Sequence, residues 1–452
     1  MNEFDYDAIV LGGGPAGEHC AGHLTDGGLK VAIAERELVG GECSYWACIP
    51  SKTLLRPGEA LAAARDAPGA REAVSGELDV SAALAWRDFM VSDHDDAGQV
   101  KWMEGAGIDL LRGEARIAGP NRVAVGEEER TARHIVISTG SDPFIPPIAG
   151  LRELDGVWTN REVTALEEIP RRLLVLGGGP VGVEMSQALR RMGAEVALVE
   201  GMDRLLPNEP PALGEALGEA LSADGIELCF GESVEAVAKE DGEFVLSFAE
   251  REELRGDRLL VATGRRPRIE GLGLESVGIE PGERGIEVDS RLRAGESVWA
   301  IGDVTGVWPL TYVGKYQGRI VADNILGGSR EADYSAVPRV VFTDPQAAAV
   351  GDAEGPLTAT VQLAEVARTA TYSRAYDERP GLMTLVSDGK RLTGAHALGP
   401  EAGEWLQQAT LAIRAQIPLE LMNDVIQPFP SFSEAFLQTL TELAAKAPAA
   451  GA

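Results

Sequence analysis

The sequence predicts an α/β fold containing two parallel-sheet units of one design, and three observations predict it. A strand–GxGxxG–helix–strand pattern occurs twice, with the first glycines at Gly12 and Gly177. In both copies a glutamate closes the second strand 18 residues beyond the third glycine. The chain has 452 residues, room for two to four domains at roughly 100–200 residues each.

In the first copy, residues 7–11, "DAIVL", read as a buried strand. "GGGPAG" follows, placing Gly12, Gly14 and Gly17 in register, then a helix, then "KVAIAE" ending at Glu35. Such glycines let the backbone turn tightly and approach a pyrophosphate at a helix N-terminus. The closing acid accepts hydrogen bonds from a ribose. The second copy, "RRLLVLGGGPVGVEMSQALRRMGAEVALVE", supplies Gly177, Gly179, Gly182 and Glu200. Two complete fingerprints mean two Rossmann-like dinucleotide-binding domains. A carboxylate at Glu200 suits a ribose 2′-hydroxyl and repels a 2′-phosphate. The next residues hold one arginine, Arg204, and no basic cluster. The second nucleotide is therefore expected to be NADH, with NADPH disfavoured.

Three further strands end in turn signals: Thr139–Gly140, Thr263–Gly264 and Gly302–Asp303. Strand C-terminal ends are where ligands bind in open α/β sheets. An Asx turn is the alternative reading for Asp303.

Composition narrows the function. With 41 basic and 71 acidic residues the formal charge is −30. Such a chain repels phosphate backbones and anionic lipid, so neither nucleic acid nor a membrane is an expected partner. The opening "MNEFDYDAIVLGGG" has no basic n-region or cleavage site and reads as a strand. No stretch reaches the roughly 20 apolar residues of a membrane span. The expected location is cytoplasmic, where thiols are normally reduced.

Against that background, "GGECSYWACIPSKTLL" places Cys43 and Cys48, two of four cysteines in the chain, with four residues between them. In a reducing compartment such a pair is more often catalytic or metal-binding than structural. A helix starting near Pro50 would set its N-terminus against Cys48 and stabilise a thiolate. A zinc site needs four ligands, and only Cys20 and Cys229 remain, both in apolar contexts. Redox pair, metal ligands and inert thiols are the three readings, and no metal is expected.

Taken together, these motifs resemble the FAD-dependent pyridine nucleotide–disulfide oxidoreductases, the family of dihydrolipoamide dehydrogenase, glutathione reductase and mercuric reductase. The resemblance runs nearly the whole chain in the family's order, through CxxxxC-x-P-S-K, both fingerprints, both Thr-Gly pairs and Gly-Asp. "PRVVFTDPQAAAVG", "LTGAHALGPEAGE" and "FPSFSEAF" resemble the family's interface domain. It implies an FAD-binding domain over 1–148 and 272–328, an NADH domain over 149–271, and an α+β dimerisation domain over 331–445 that pairs two copies. It implies that Cys43 and Cys48 form a redox disulfide, Cys48 facing the flavin and Cys43 meeting a small-molecule acceptor. Lys52 would lie against the flavin with Glu184 as its acidic partner. Glu35 would bind the adenosine ribose of FAD and Asp303 its ribityl chain. Ala115, Thr139 and Gly140 join the implied FAD contacts, and Gly264 the nucleotide contacts.

The sequence also departs from the family. Disulfide-reducing members carry His-Pro-Thr-x-x-Glu near the C-terminus; here residues 429–434 read Phe-Pro-Ser-Phe-Ser-Glu. Glu434 is kept and Phe429 replaces the histidine, which normally takes a proton from the attacking thiol and returns one to the leaving thiol. No histidine follows His396, which reads as structural, and His94 in "SDHDD" reads as part of a solvated loop. Tyr45 and Trp46 stand where the family has asparagine and a small aliphatic residue, either to shape an aromatic pocket or to pack. The tail "TELAAKAPAAGA" lacks the cysteine pair of mercuric reductase. Phenylalanine at the histidine position resembles 2-ketopropyl-coenzyme M oxidoreductase/carboxylase, although that enzyme also replaces the glutamate. The expected activity is electron flow from NADH through FAD and the Cys43–Cys48 pair to an acceptor that needs no histidine. A direct flavin diaphorase, oxidase or quinone reductase, thioether cleavage of the 2-ketopropyl type, and a noncatalytic flavin sensor are the alternatives.

Overall fold

A computed structural model of the chain describes residues 4–366 and 380–446. The first three residues, part of the expected interface region at 367–379, and the end of the cysteine-free tail lie outside the described residues. Packing divides the chain into two units.

The first unit comprises Met1–Pro50, Ala85–Phe144 and Gly264–Asp333. Its parallel strands run in the spatial order Ile108–Arg112, Val31–Glu35, Tyr6–Leu11, Glu128–Ile137 and Val298–Ala300. Strands Arg122–Val125 and Ala115–Gly119 continue antiparallel from Glu128–Ile137. The central strands carry apolar residues on both faces, as a doubly covered sheet requires. Ile9, Leu11, Ile135 and Ile137 pack into one core, and Val10, Ile33, Val136 and Trp299 into the other. Helices Pro15–Asp26 and Thr311–Ile325 pack closely: a Cβ on Gly314 would come 3.0 Å from the Ala16 Cβ, and one on Gly318 2.9 Å from the Ala16 carbonyl oxygen.

The second unit comprises Ser51–Leu84, Ile145–Thr263 and the chain from Tyr334 onward. Its parallel sheet runs Glu227–Phe230, Glu195–Glu200, Arg172–Leu176 and Arg258–Val261. A three-stranded antiparallel sheet, Val234–Glu240, Glu243–Phe248 and Leu254–Gly256, packs with it around Leu174, Val199 and Phe244. A five-stranded antiparallel sheet follows, in the order Arg339–Val341, Gln346–Gly351, Leu392–Gly399, Leu382–Ser387 and Leu357–Gln362. Helices Gln407–Arg414 and Ser433–Lys446 cover one face through Ala409, Ile413, Phe436 and Leu440. The fold is thus α/β, with two Rossmann-like sheets and a C-terminal α+β domain. Among the described residues no helix is long and apolar enough to cross a membrane.

His396 sits inside the last sheet, 4% exposed, with its Nδ1 buried and unpartnered. Burial, aided by the Arg339 charge, pushes its pKa down from 6.5 to about 4. A histidine kept neutral in the fold and protonated in the unfolded chain makes stability fall as pH drops from about 6.5 to about 4. The loss is on the order of 3 kcal/mol. His396→Leu is expected to remove that part of the acid sensitivity, read as urea midpoints at pH 7 and pH 5. Equal acid sensitivity in both proteins would contradict the assignment.

Candidate functional site

The two glycine turns are near duplicates. Gly12 and Gly177 end their strands at φ 106° and 108°, which favours glycine. A Cβ on Gly17 would come 2.1 Å from the Gly12 carbonyl oxygen, and one on Gly182 1.9 Å from that of Gly177, so each helix can seat against its turn only without a side chain. Gly14 and Gly179 cap helices Pro15–Asp26 and Pro180–Arg191, each with proline at its start. There a Cβ would meet nothing within 4 Å. Protein packing does not demand glycine at those two positions, and the space before each helix N-terminus is open. An open cradle at a helix N-terminus fits a dinucleotide diphosphate.

The two strand-end acids are duplicates as well. Glu35 accepts from the Gly13 N–H at 2.7 Å and the Glu37 N–H at 2.8 Å. Glu200 accepts from the Gly178 N–H at 2.7 Å and the Met202 N–H at 2.9 Å. Each carboxylate fastens its glycine turn, a role the fingerprint alone does not show, and keeps lone pairs for a ribose hydroxyl. Arg204 is held by Asp203 at 2.9 Å and by the Pro207 carbonyl at 3.1 Å.

Around the first cradle the Thr-Gly pairs meet through strands Ser141–Pro143 and Arg265–Pro267. Thr139 donates to the Arg268 carbonyl at 2.7 Å, Gly140 accepts from the Arg268 N–H at 2.9 Å, and Gly264 accepts from the Phe144 N–H at 2.9 Å. Asp303 accepts from the Ser141 hydroxyl at 2.6 Å, and that hydroxyl accepts from Arg265 Nε at 2.7 Å. Arg265 also lies 3.7 Å from Glu42, the neighbour of Cys43. Sequence reading missed Ser141, Arg265 and Glu42, because only the fold brings the three segments together. Ala115 opens its strand two residues past Gly113, whose N–H bonds the Glu35 carbonyl at 2.9 Å. Glu18, unremarked in sequence, has its carboxyl pushed up to about 7 by burial, with Lys315 opposing.

Cys43 lies in the short helix Gly41–Tyr45, and Cys48 is the first residue of the helix Cys48–Asp66. That helix therefore begins two residues before the expected Pro50, which makes Cys48 part of its N-terminal turn. Both cysteines are free thiols here, half-buried and within hydrogen-bonding reach of each other. Thr311, at the start of helix Thr311–Ile325, brings its hydroxyl within 3.3 Å of Cys48 Sγ. Cys43 is pushed well above the usual thiol range, first by its hydrogen bond with Cys48 and next by burial, while Thr311 and Lys315 pull the other way. Cys20 and Cys229 are buried in separate cores. Thr311, 263 residues from Cys48, carries no sequence signal of its role.

The residues between the cysteines pack rather than open a pocket at Tyr45, which is 1% exposed and donates to the Val39 carbonyl at 3.1 Å. In the expected solvated loop, Ser92, Asp93 and Asp95 are exposed, and the half-buried His94 ring lies 5.7 Å from that of Trp46 and 6.1 Å from that of Tyr45.

In the second unit, Lys52 Nζ donates to Glu184 Oε2 at 2.7 Å. Glu184 is 4% exposed, so it is no surface charge of its helix. Phe429 is 62% exposed, and Glu434 lies in the first turn of the helix Ser433–Lys446.

Residues 6–318 match the family model of the pyridine nucleotide-disulphide oxidoreductases, and residues 337–440 match that family's dimerisation domain. The chain is 36% identical to a dihydrolipoyl dehydrogenase of Thermus scotoductus, over 97% of each chain. It is 33% identical to a mercuric reductase of Lysinibacillus sphaericus, over 96% of this chain and 82% of that one. Among solved structures it is similar to the Cu(II) complex of the HOCl-induced flavoprotein disulfide reductase RclA from Escherichia coli. The TM-score is 0.83 and the identity 27%, covering 98% of this chain and 99% of that one.

A hydrogen bond from Thr311 to Cys48 favours the thiolate by about 1 kcal/mol net. In a Cys43→Ser background, adding Thr311→Val is expected to slow alkylation of Cys48 by iodoacetamide at pH 7 about fivefold. An unchanged alkylation rate would show that the hydroxyl does not act on the sulfur.

Proposed function

The chain belongs to the pyridine nucleotide-disulphide oxidoreductase family, and from that premise we propose that it carries electrons from NADH through FAD to a Cys43–Cys48 disulfide and on to an acceptor that needs no histidine. The observation that carries this reading is the meeting of the two sulfurs and the Thr311 hydroxyl at the starts of two helices.

Gly12, Gly14, Gly17, Glu35, Ala115, Thr139, Gly140 and Asp303 would hold FAD, with Lys52 against the flavin. Gly177, Gly179, Gly182, Glu200 and Gly264 would hold the nicotinamide nucleotide. Bound FAD supplies the two-electron carrier between NADH and sulfur. The fixed carboxylate of Glu200 and the engagement of Arg204 elsewhere support NADH over NADPH. Under this reading the FAD part spans 1–148 and 272–328, the NADH part 149–271 and the interface part 331–445. The dimerisation-domain match and the exposed Leu421, Ile426 and Phe429 support a homodimer. A cytoplasmic location belongs to the same proposal.

The acceptor follows from two chemical facts. Phe429 cannot exchange a proton, and the Cys43 thiol is pushed up by its hydrogen bond with Cys48 and by burial. An unactivated disulfide would need a base for the attack and an acid for the departing thiolate, help typically worth 10²–10⁴-fold in rate. Two kinds of acceptor lessen that need. One is an activated disulfide, whose electrophilic sulfur is attacked as the Cys43 proton passes to water and whose weakly basic thiolate departs unprotonated. The other is a thiophilic metal ion, which displaces thiol protons on binding; the mercuric reductase relative and the Cu(II) complex of RclA are of that kind by name.

The test is turnover of the FAD-loaded protein with NADH and an aromatic disulfide bearing a weakly basic leaving thiol. Cys48→Ser is expected to lose at least about 100-fold of this activity while still reducing ferricyanide directly. Unchanged disulfide turnover in Cys48→Ser would place the chemistry at the flavin alone and make the protein a diaphorase.

A further inference from the structure

Lys52 has a second neighbour that neither its motif nor the family resemblance points to. The Phe342 ring lies 4.8 Å from Lys52 Nζ, centroid to nitrogen, and Phe342 follows directly on the strand Arg339–Val341. Its backbone N–H donates to Glu184 Oε1 at 2.9 Å, while the other carboxylate oxygen takes Lys52. One residue therefore engages both members of the pair, the acid through its main chain and the ammonium through its ring.

The segment bearing that ring is held in place from one helix face. Glu184, Gln187 and Arg191 stand at i, i+3 and i+7 on the helix Pro180–Arg191. Gln187 accepts from the Asp344 N–H and donates to the Asp344 carbonyl, both at 2.7 Å. Arg191 reaches the Asp344 carboxylate at 2.8 Å and that of Asp224 at 2.9 Å. Thr343, 1% exposed, donates to the Pro345 carbonyl at 2.9 Å. Residues on both sides of the ring are thus fixed, yet Phe342 itself is 40% exposed. An aromatic face beside an ammonium attracts it through the ring quadrupole. The ammonium has three donors; Glu184 takes one, and the ring covers another side. The Lys52 side chain is still 37% exposed, so the pair orients the ammonium without enclosing it.

We propose that Phe342 is a positioning residue for Lys52: with Glu184 it sets the direction in which the ammonium meets the flavin. This rests on the reading of Lys52 as the lysine against the flavin. A residue that acts only by orienting Lys52 has no effect when Lys52 is gone, and that coupling separates positioning from packing.

The experiment uses the FAD-loaded protein, with FAD content matched between variants. It reads the rate of flavin reduction by NADH in anaerobic stopped flow and the flavin midpoint potential by dye equilibration. Phe342→Leu is expected to slow reduction about five- to tenfold and to shift the potential in the same direction as Lys52→Met. Phe342→Tyr, which keeps the ring, is expected to stay within about twofold of the parent. Adding Phe342→Leu to Lys52→Met is expected to change neither readout further. The proposal is overturned if Phe342→Leu behaves as the parent in both readouts. It is equally overturned if Phe342→Leu slows the Lys52→Met protein as much as it slows the parent. If Lys52→Met itself leaves both readouts unchanged, the flavin reading of Lys52 fails, and the positioning role goes with it.

Discussion

A chain with a formal charge of −30 from a family that uses FAD and a pyridine nucleotide has to supply positive potential where each diphosphate lies. Main-chain N–H groups supply it here, and the rest of the structure is arranged to present them. Gly14 and Gly179 begin helices whose N-termini carry partial positive charge. The glycines at Gly17 and Gly182 let those helices seat against their turns, and Glu35 and Glu200 fasten the turns from the neighbouring strand. None of this requires lysine or arginine, so the acidic composition and the nucleotide sites do not conflict. Cys48 and Thr311 repeat the device, since both stand at the first residue of a helix. There the anion to be stabilised is a thiolate instead of a phosphate.

The missing histidine changes what such a cysteine pair can do. Under the proposed function, reduction of the pair gives Cys48, at a helix start beside Thr311, and Cys43, whose thiol is pushed up by its neighbour and by burial. Neither has a base at position 429. That shifts the chemical burden to the acceptor, whose own reactivity or affinity for sulfur replaces the absent acid and base. Under that proposal specificity would come from leaving-group chemistry and thiophilicity, and Tyr45, 1% exposed, is committed to packing.

Much of the fold is legible in the sequence because it is encoded by spacing. Gly12, Gly14, Gly17 and Glu35 announce a strand–turn–helix–strand unit, and the repeat at Gly177 announces a second one of the same geometry. Lys52 and Glu184, 132 residues apart, are legible as a pair only through family resemblance, since no local pattern links them. The helix start near Pro50 is legible, and the structure sets it at Cys48 with Pro50 third in the first turn. Ser141, Arg265, Thr311 and Phe342 are illegible for one shared reason. Each acts through tertiary contacts, and a lone serine, threonine, arginine or phenylalanine near a strand or helix end carries no signal of which distant residue it will meet. The solvated loop at His94 is legible from its acidic neighbours, and the approach of its ring to those of Tyr45 and Trp46 is not.

The central claim is that the cysteine pair accepts electrons from the flavin. Anaerobic titration of the FAD-loaded protein with NADH, followed by its visible spectrum, tests that most directly. The account predicts that the first equivalent of NADH per flavin produces a long-wavelength thiolate-to-flavin absorbance with most of the flavin band retained, the electrons residing on Cys43 and Cys48. Loss of the flavin band with the first equivalent, and no long-wavelength absorbance, would contradict it.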